Sequence, residues 1–250
     1  MKSLFSLSLF SLLLLSPLQA QKSPTKAKKL KPYQVELSNL TEEDKKQYIT
    51  HLLRAQELFG QKRIFECLES LSKASSIFSE DPAIYNLKGA CYVEFRDFQE
   101  ALKSFQAAKK LDPENFNVDF NIAEIFFVTE KWKESFDLLD KIRTLHSDKY
   151  SKQMTQLIDF KAFLCQLKLG QVKEARELIG ALSYRDDTPL YYYGNAALAY
   201  HGDEPEEAEQ WLARGRRVFR DQGTVAPWQD TLIEFGYIKS FYGGDLEVSD

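Results

Sequence analysis

Residues that commonly do chemistry are scarce in this chain: its 250 residues include three His, three Cys, two Met and three Trp. His51, His146 and His201 lie far apart and outside any HExxH pair, so the spacing that lets two imidazoles on one helix face hold zinc is missing. No GxSxG nucleophile elbow and no Gly-rich phosphate loop is present. Cys67, Cys91 and Cys165 are an odd set without CxxC or metal-ligand spacing. They read as small buried hydrophobes, and Cys67 could pair with Cys91 only if neighbouring helices bring the thiols together. These absences remove the common hydrolase, nucleotide and zinc-site patterns, so no enzyme activity, no cofactor and no metal is expected. Positive charge is not in excess, with 33 Lys and Arg against 37 Asp and Glu and a net charge of −4. A surface for general nucleic-acid binding is therefore not expected. Nor does any apolar run reach the roughly 20 residues that a membrane-spanning helix needs.

What the chain does hold is a core-forming fraction, 44% hydrophobic and 13% aromatic, with 28% charged residues to cover it. Within residues 82–115 the pattern is that of a helical pair. Gly89, Ala101 and Ala108 are small enough to let two backbones approach, Tyr85, Tyr92 and Phe105 fill the space around them, and Pro113 ends the second helix. The position of Ala101 recurs as Cys67, Ser135, Ala175 and Ala208, and that of Phe105 as Leu71, Leu139, Ile179 and Leu212. Gly89 recurs as Ala55, Ala123, Phe163 and Ala196, and Ala108 as Ala74, Ile142, Leu182 and Gly215.

This spacing resembles the tetratricopeptide repeat, strongly in residues 82–115 and partially over roughly residues 48–222. Lys88 stands where the family usually has Leu, with Leu87 beside it. Segments 48–81, 82–115 and 116–149 keep the family period of about 34 residues, an insertion near residues 148–153 delays the fourth unit, and the fifth starts from Pro189. The resemblance implies an all-α, right-handed α-solenoid of about five helix-turn-helix units. A unit of this kind cannot bury its apolar face alone, so a C-terminal capping helix is expected as well.

The ends read differently. Lys2, the apolar run from Leu4 to Leu15 and the small residue Ala20 give residues 1–20 the pattern of a secretory signal peptide, so the chain is expected to be exported, periplasmic or secreted. Residues 21–40 carry Lys22, Lys26, Lys28, Lys29 and Lys31 with Pro24 and Pro32, and read as a basic disordered linker with weak peripheral contact to membrane or cell wall. Residues 41–222 form the repeat array, whose first helix is capped by Thr41 ahead of Glu42, Glu43 and Asp44. Residues 223–243 read as the capping helix, with Pro227 at its first position, and residues 244–250 as an acidic tail.

Function is sought on the first helix of each pair, one residue on from the packing stripe. Family resemblance places this second stripe on the concave face: Leu52 and Phe59, Asn86 and Val93, Phe120 and Phe127, Phe160 and Leu167, Tyr193 and Tyr200. A charged clamp for a chain-terminal carboxylate would need Lys, Arg and Asn here, and Asn86 alone does not make one. The expectation is a non-enzymatic adaptor that binds another envelope protein or peptide segment in this aromatic groove, with Asn86, Asn117 and Glu124 at the rim. Part of the same stripe also reads as ordinary core between neighbouring helices. The alternatives are self-association into a homo-oligomer, and a carbohydrate or cell-wall module using Trp132, Trp211 and Trp228. Arg214, Arg216 and Arg217 read as cations complementing the end of a helix.

Overall fold

The computed structural model describes residues 30–146 and 149–239, so the leader, the first part of the linker and the acidic tail lie outside the described residues. The described residues form twelve α-helices and no strand. They are α1 (Pro32–Asn39), α2 (Glu42–Gly60), α3 (Ile64–Ile77), α4 (Pro82–Glu94), α5 (Phe98–Leu111), α6 (Phe116–Val128), α7 (Trp132–His146), α8 (Lys152–Lys168), α9 (Val172–Gly180), α10 (Pro189–His201), α11 (Pro205–Val218) and α12 (Gln222–Glu234). The fold is an all-α helical-repeat solenoid. Within α6 the chain divides into two compact units, one ending at Ile125 and one starting at Phe126.

The repeat is written in the backbone as well as in the side chains. Lys62, Arg96 and Glu130 stand 34 residues apart and all have φ near +60°. Gly170 follows 40 residues later and Asp203 another 33 residues on, so the insertion falls in the fourth unit. At each of these turns the left-handed residue donates its N–H to the carbonyl three residues back, and the next residue donates to the carbonyl five back. That is the Schellman closure, which satisfies the last carbonyls of a helix. The acceptors are Phe59, Val93, Phe127, Leu167 and Tyr200, so the five turns index one stripe position in all five units.

Packing follows the small-residue rule. In the first unit α2 lies against α3 and α4 against α5; in the second α7 lies against α8 and α10 against α11. Ala55, Cys67, Ala74, Ala101, Phe105, Ala108, Ala123, Ser135, Leu139, Ile142, Ala175, Ala196 and Ala208 are all fully buried. At Gly89 an added Cβ would sit 2.5 Å from the Phe105 ring, so the small residue there is a packing requirement. Caps define the starts. Thr41 accepts from the Asp44 N–H as expected, and Asp81, Asp97, Ser151, Thr188 and Asp221 cap α4, α5, α8, α10 and α12.

Two boundary expectations need correction. Residues 32–39 are helical rather than part of a solvated linker, because Tyr33, Leu37 and Leu40 recur at helical spacing and pack on the core of the first unit. Lys31 is held too, with Nζ 2.6 Å from the Asp112 carboxylate. At the other end Asp221 caps α12 and starts it at Gln222, so Pro227 lies inside the helix and not at its first position. Lacking an N–H, Pro227 forgoes one helical hydrogen bond. The helix stops at Glu234, and Gly236 takes φ +86° just beyond it.

Candidate partner-binding site

Of the ten stripe residues eight are buried: Phe59, Asn86, Val93, Phe120, Phe127, Phe160, Leu167 and Tyr193. Only Leu52 and Tyr200 keep partial exposure. The expected open aromatic groove is therefore largely buried, and in the second unit a terminal helix fills it.

In the second unit the filler is α12 with the residues that follow it. Trp228 packs against Phe160 at 5.1 Å and against Tyr193 at 6.0 Å between ring centroids. Phe235 stacks on Phe127 at 5.9 Å, and Tyr237 stacks on Tyr200 at 5.5 Å. Aromatic pairs at such separations favour offset and edge arrangements that add to simple burial. Polar groups are enclosed as well. Lys161 Nζ lies 3.2 Å from the Glu234 carboxylate, with the two side chains 4% and 5% exposed, and it also stands 4.6 Å from the centroid of the Phe127 ring. Asp230 sits beside this pair, and burial, reinforced by the Glu234 charge and opposed by Lys161, pushes its carboxyl up to about 7. Burial likewise raises the Tyr193 phenol to about 12, and its hydroxyl finds no hydrogen-bond partner among the described residues. Trp132 and Trp228, candidates for sugar stacking, are engaged in this same aromatic cluster, Trp132 at 5.2 Å from Phe235.

In the first unit α1 comes over the stripe but leaves an opening. Tyr33 and Leu37 pack with Leu52 against the core. Beside them lies a cleft of about 260 Å³ lined by Tyr33, Leu37, Leu52, Asn86, Asn115 and Asn117, with Asp81 at its edge. Asn121 donates to the Asn86 carbonyl oxygen at 2.9 Å, which leaves the Asn86 amide hydrogens for other acceptors. Asn115, which also lines the cleft, accepts from the Asn117 N–H at 3.2 Å and so starts α6. Tyr33 is pushed up to about 12 by burial and then by the nearby Asp112 and Asp81 carboxylates, so it is a neutral donor at neutral pH. The Tyr48 hydroxyl donates to Asp81 at 2.7 Å and fixes that carboxylate at the start of α4.

Of the rim residues expected from sequence, Asn86 and Asn117 reach this cleft, whereas Glu124 is buried. Sequence reasoning missed Tyr33, Leu37, Asp81 and Asn115. The signal for the first two was present, since they follow Pro32 at i, i+4 spacing, but the lysines around them dominated the composition. Among the described residues no cluster of three or more His, Cys, Asp or Glu is placed to hold a metal, and no helix is long and apolar enough to cross a membrane.

Comparison with known proteins agrees with this architecture. Residues 82–115 match the family model described as tetratricopeptide repeat. Among solved structures, YrrB, described as a TPR protein with an unusual peptide-binding site, is 17% identical with a TM-score of 0.53, over 78% of this chain and 96% of its own. PilF of Pseudomonas aeruginosa is 15% identical with a TM-score of 0.54, over 78% of this chain and 97% of its own. MamA of Desulfovibrio magneticus RS-1, from residue 41 to its end, is 15% identical with a TM-score of 0.53, over 70% and 97% respectively. At these identities the likeness is one of fold. No curated protein matches the sequence.

Proposed function

We propose that this tetratricopeptide repeat protein, whose fold is that of a protein–protein interaction scaffold, is an exported adaptor that captures an extended segment of another envelope protein. The observation that carries the reading is the cleft of about 260 Å³ beside α1, where the stripe residues Leu52 and Asn86 meet Asn115 and Asn117. A carboxamide offers both a donor and an acceptor, as a peptide group does, so three asparagines at one opening suit a main chain laid across it. Tyr33, Leu37 and Leu52 supply the apolar wall for one anchoring side chain. The peptide-binding site ascribed to YrrB supports the analogy of function, and the leader-like residues 1–20 support export.

The test is site-specific photocrosslinking in the native cell with the full chain. A photoreactive residue at Leu52 is expected to give one discrete protein adduct that Asn117→Arg suppresses, whereas the same residue at exposed Lys103 gives none. Equal adducts from both positions would reject the cleft as the recognition surface. Intact mass of the mature protein checks the export half separately: a chain starting at or near Gln21 is expected, and retention of Met1 overturns it.

A further inference from the structure

The second unit carries another opening, away from the α12-filled stripe. Where Tyr193 turns to Trp228 of α12, its neighbours Tyr191 and Tyr192 turn to Trp211 of α11, at 5.5 and 6.5 Å between centroids. Together with Tyr184, Arg214 and Arg217 they line a cavity of about 350 Å³. Tyr184 is 65% exposed and Val218, at its edge, 52%. The Arg214 guanidinium lies 4.7 Å from the centre of the Trp211 ring, and that of Arg185 lies 5.6 Å from the centre of the Tyr184 ring. Among the described residues no carboxylate lines the cavity. The nearby acids are used elsewhere: Glu207 accepts from the Trp211 indole N–H at 3.2 Å, and Asp186 accepts from the Ser183 N–H at 2.6 Å.

We infer that this cleft is a second binding site, for a short acidic polypeptide segment bearing an apolar side chain between its carboxylates. The charge complementarity is local and specific, because Arg214 and Arg217 form no ion pair with any described residue in a chain whose net charge is −4. A guanidinium laid on an aromatic ring keeps its N–H edge free and loses little freedom when it grips a carboxylate in a bidentate fashion. Tyr191, Tyr192 and Val218 provide the apolar surface for the intervening side chain. A neutral sugar fits less well. The Trp211 face that would stack on a pyranose is occupied by Arg214, so the site presents cations rather than a bare aromatic platform. The cation cluster read from the sequence as helix-end complement thus gains a ligand.

The test uses the full mature chain and a fluorescein-labelled peptide, Asp-Glu-Phe-Glu-Asp. Saturable binding is expected, weakening as salt rises from about 0.05 to 0.3 M. The Arg214→Gln/Arg217→Gln double variant is expected to lose at least about tenfold in affinity, with unchanged thermal unfolding because both side chains are exposed. Arg214→Lys/Arg217→Lys, which keeps the charge and loses the planar fork, is expected to fall between. Leu52→Arg is expected to leave this binding intact, which separates the inference from the cleft beside α1. Absence of saturable binding, equal affinity for the Asn-Gln-Phe-Gln-Asn peptide, equal affinity in the double variant, or preference for polygalacturonate over the peptide would each overturn it.

Discussion

Five turns between paired helices put one residue in the left-handed region, and four of the five residues there carry a Cβ. Left-handed geometry costs an ordinary residue roughly 1 kcal/mol, and glycine escapes the penalty while losing more freedom on folding. Glu130 is exposed with φ +60°, so Glu130→Gly is expected to stabilise by about 0.5 kcal/mol. Gly170 at φ +77° has nothing within 4 Å of a would-be Cβ, so Gly170→Ala should destabilise by about 1 kcal/mol through the backbone alone. Urea midpoints of the two variants check both signs. The same scale explains the thiols. Cys67 and Cys91 are fully buried with their sulfurs 3.4 Å apart, and the Cys91 thiol donates to Cys67, while that hydrogen bond and then burial hold the Cys91 thiol above its ordinary range. They are therefore expected to resist an aromatic disulfide reagent in the folded chain and to react only on unfolding. The sequence indicated that this pair depended on neighbouring helices, and the contact between α3 and α4 supplies them.

Among the elements, α12 sets burial against polarity within one helix. Trp228, Leu232 and Phe235 anchor it, yet Gln229, Asp230 and Thr231 are buried alongside them. Trp228→Ala removes the ring that fills the space between Phe160 and Tyr193 and is expected to cost about 3–5 kcal/mol. Asp230 makes stability depend on pH in a defined direction. Its carboxyl titrates at about 7 in the folded chain, against an ordinary value of 3.8, so between those values the folded state holds a proton that the unfolded state has released. Stability therefore falls as pH rises from about 4 to 7, with the full penalty present above 7. Asp230→Asn keeps the shape without the charge, and is expected to stabilise at pH 8 and to change little at pH 4. A pair of urea titrations at those two values reads the difference; a larger gain at pH 4 would contradict the assignment. Much of this element was legible beforehand as an apolar cap. Its start was not, because Pro227 looked like a first-turn proline while the side chain of Asp221 had already begun the helix one and a half turns earlier.

For the whole molecule, the repeat was readable because one set of small and aromatic positions, from Ala55 and Cys67 to Ala196 and Ala208, recurs wherever two helices must approach. The recognition surface was less readable for a related reason. A side chain on the inner face of a first helix meets the same apolar requirement whether it touches a partner, a neighbouring helix or a terminal segment, so Phe120 and Phe160 look alike as core and as anchors. Only the folded ends resolve it, since α12 and the Phe235 that follows it cover Phe127, Phe160 and Tyr193 while α1 leaves an opening at Leu52. Phe127→Ser should accordingly behave as a core truncation, whereas the partly exposed Leu52 should tolerate Arg with little loss of stability. The repeat character adds a further consequence. In such arrays stability is a sum of unit terms and nearest-neighbour interfaces, so a local defect need not be felt throughout. Ala101 is fully buried between α4 and α5, and Ala101→Phe overpacks that contact by about 1–3 kcal/mol. Native-state hydrogen exchange of this variant is expected to show faster opening of α3, α4 and α5, with amide protection in α10, α11 and α12 within about twofold of the parent chain. A uniform loss of protection along the chain would instead make the two compact units one cooperative body, and the nearest-neighbour account of this array would have to be given up.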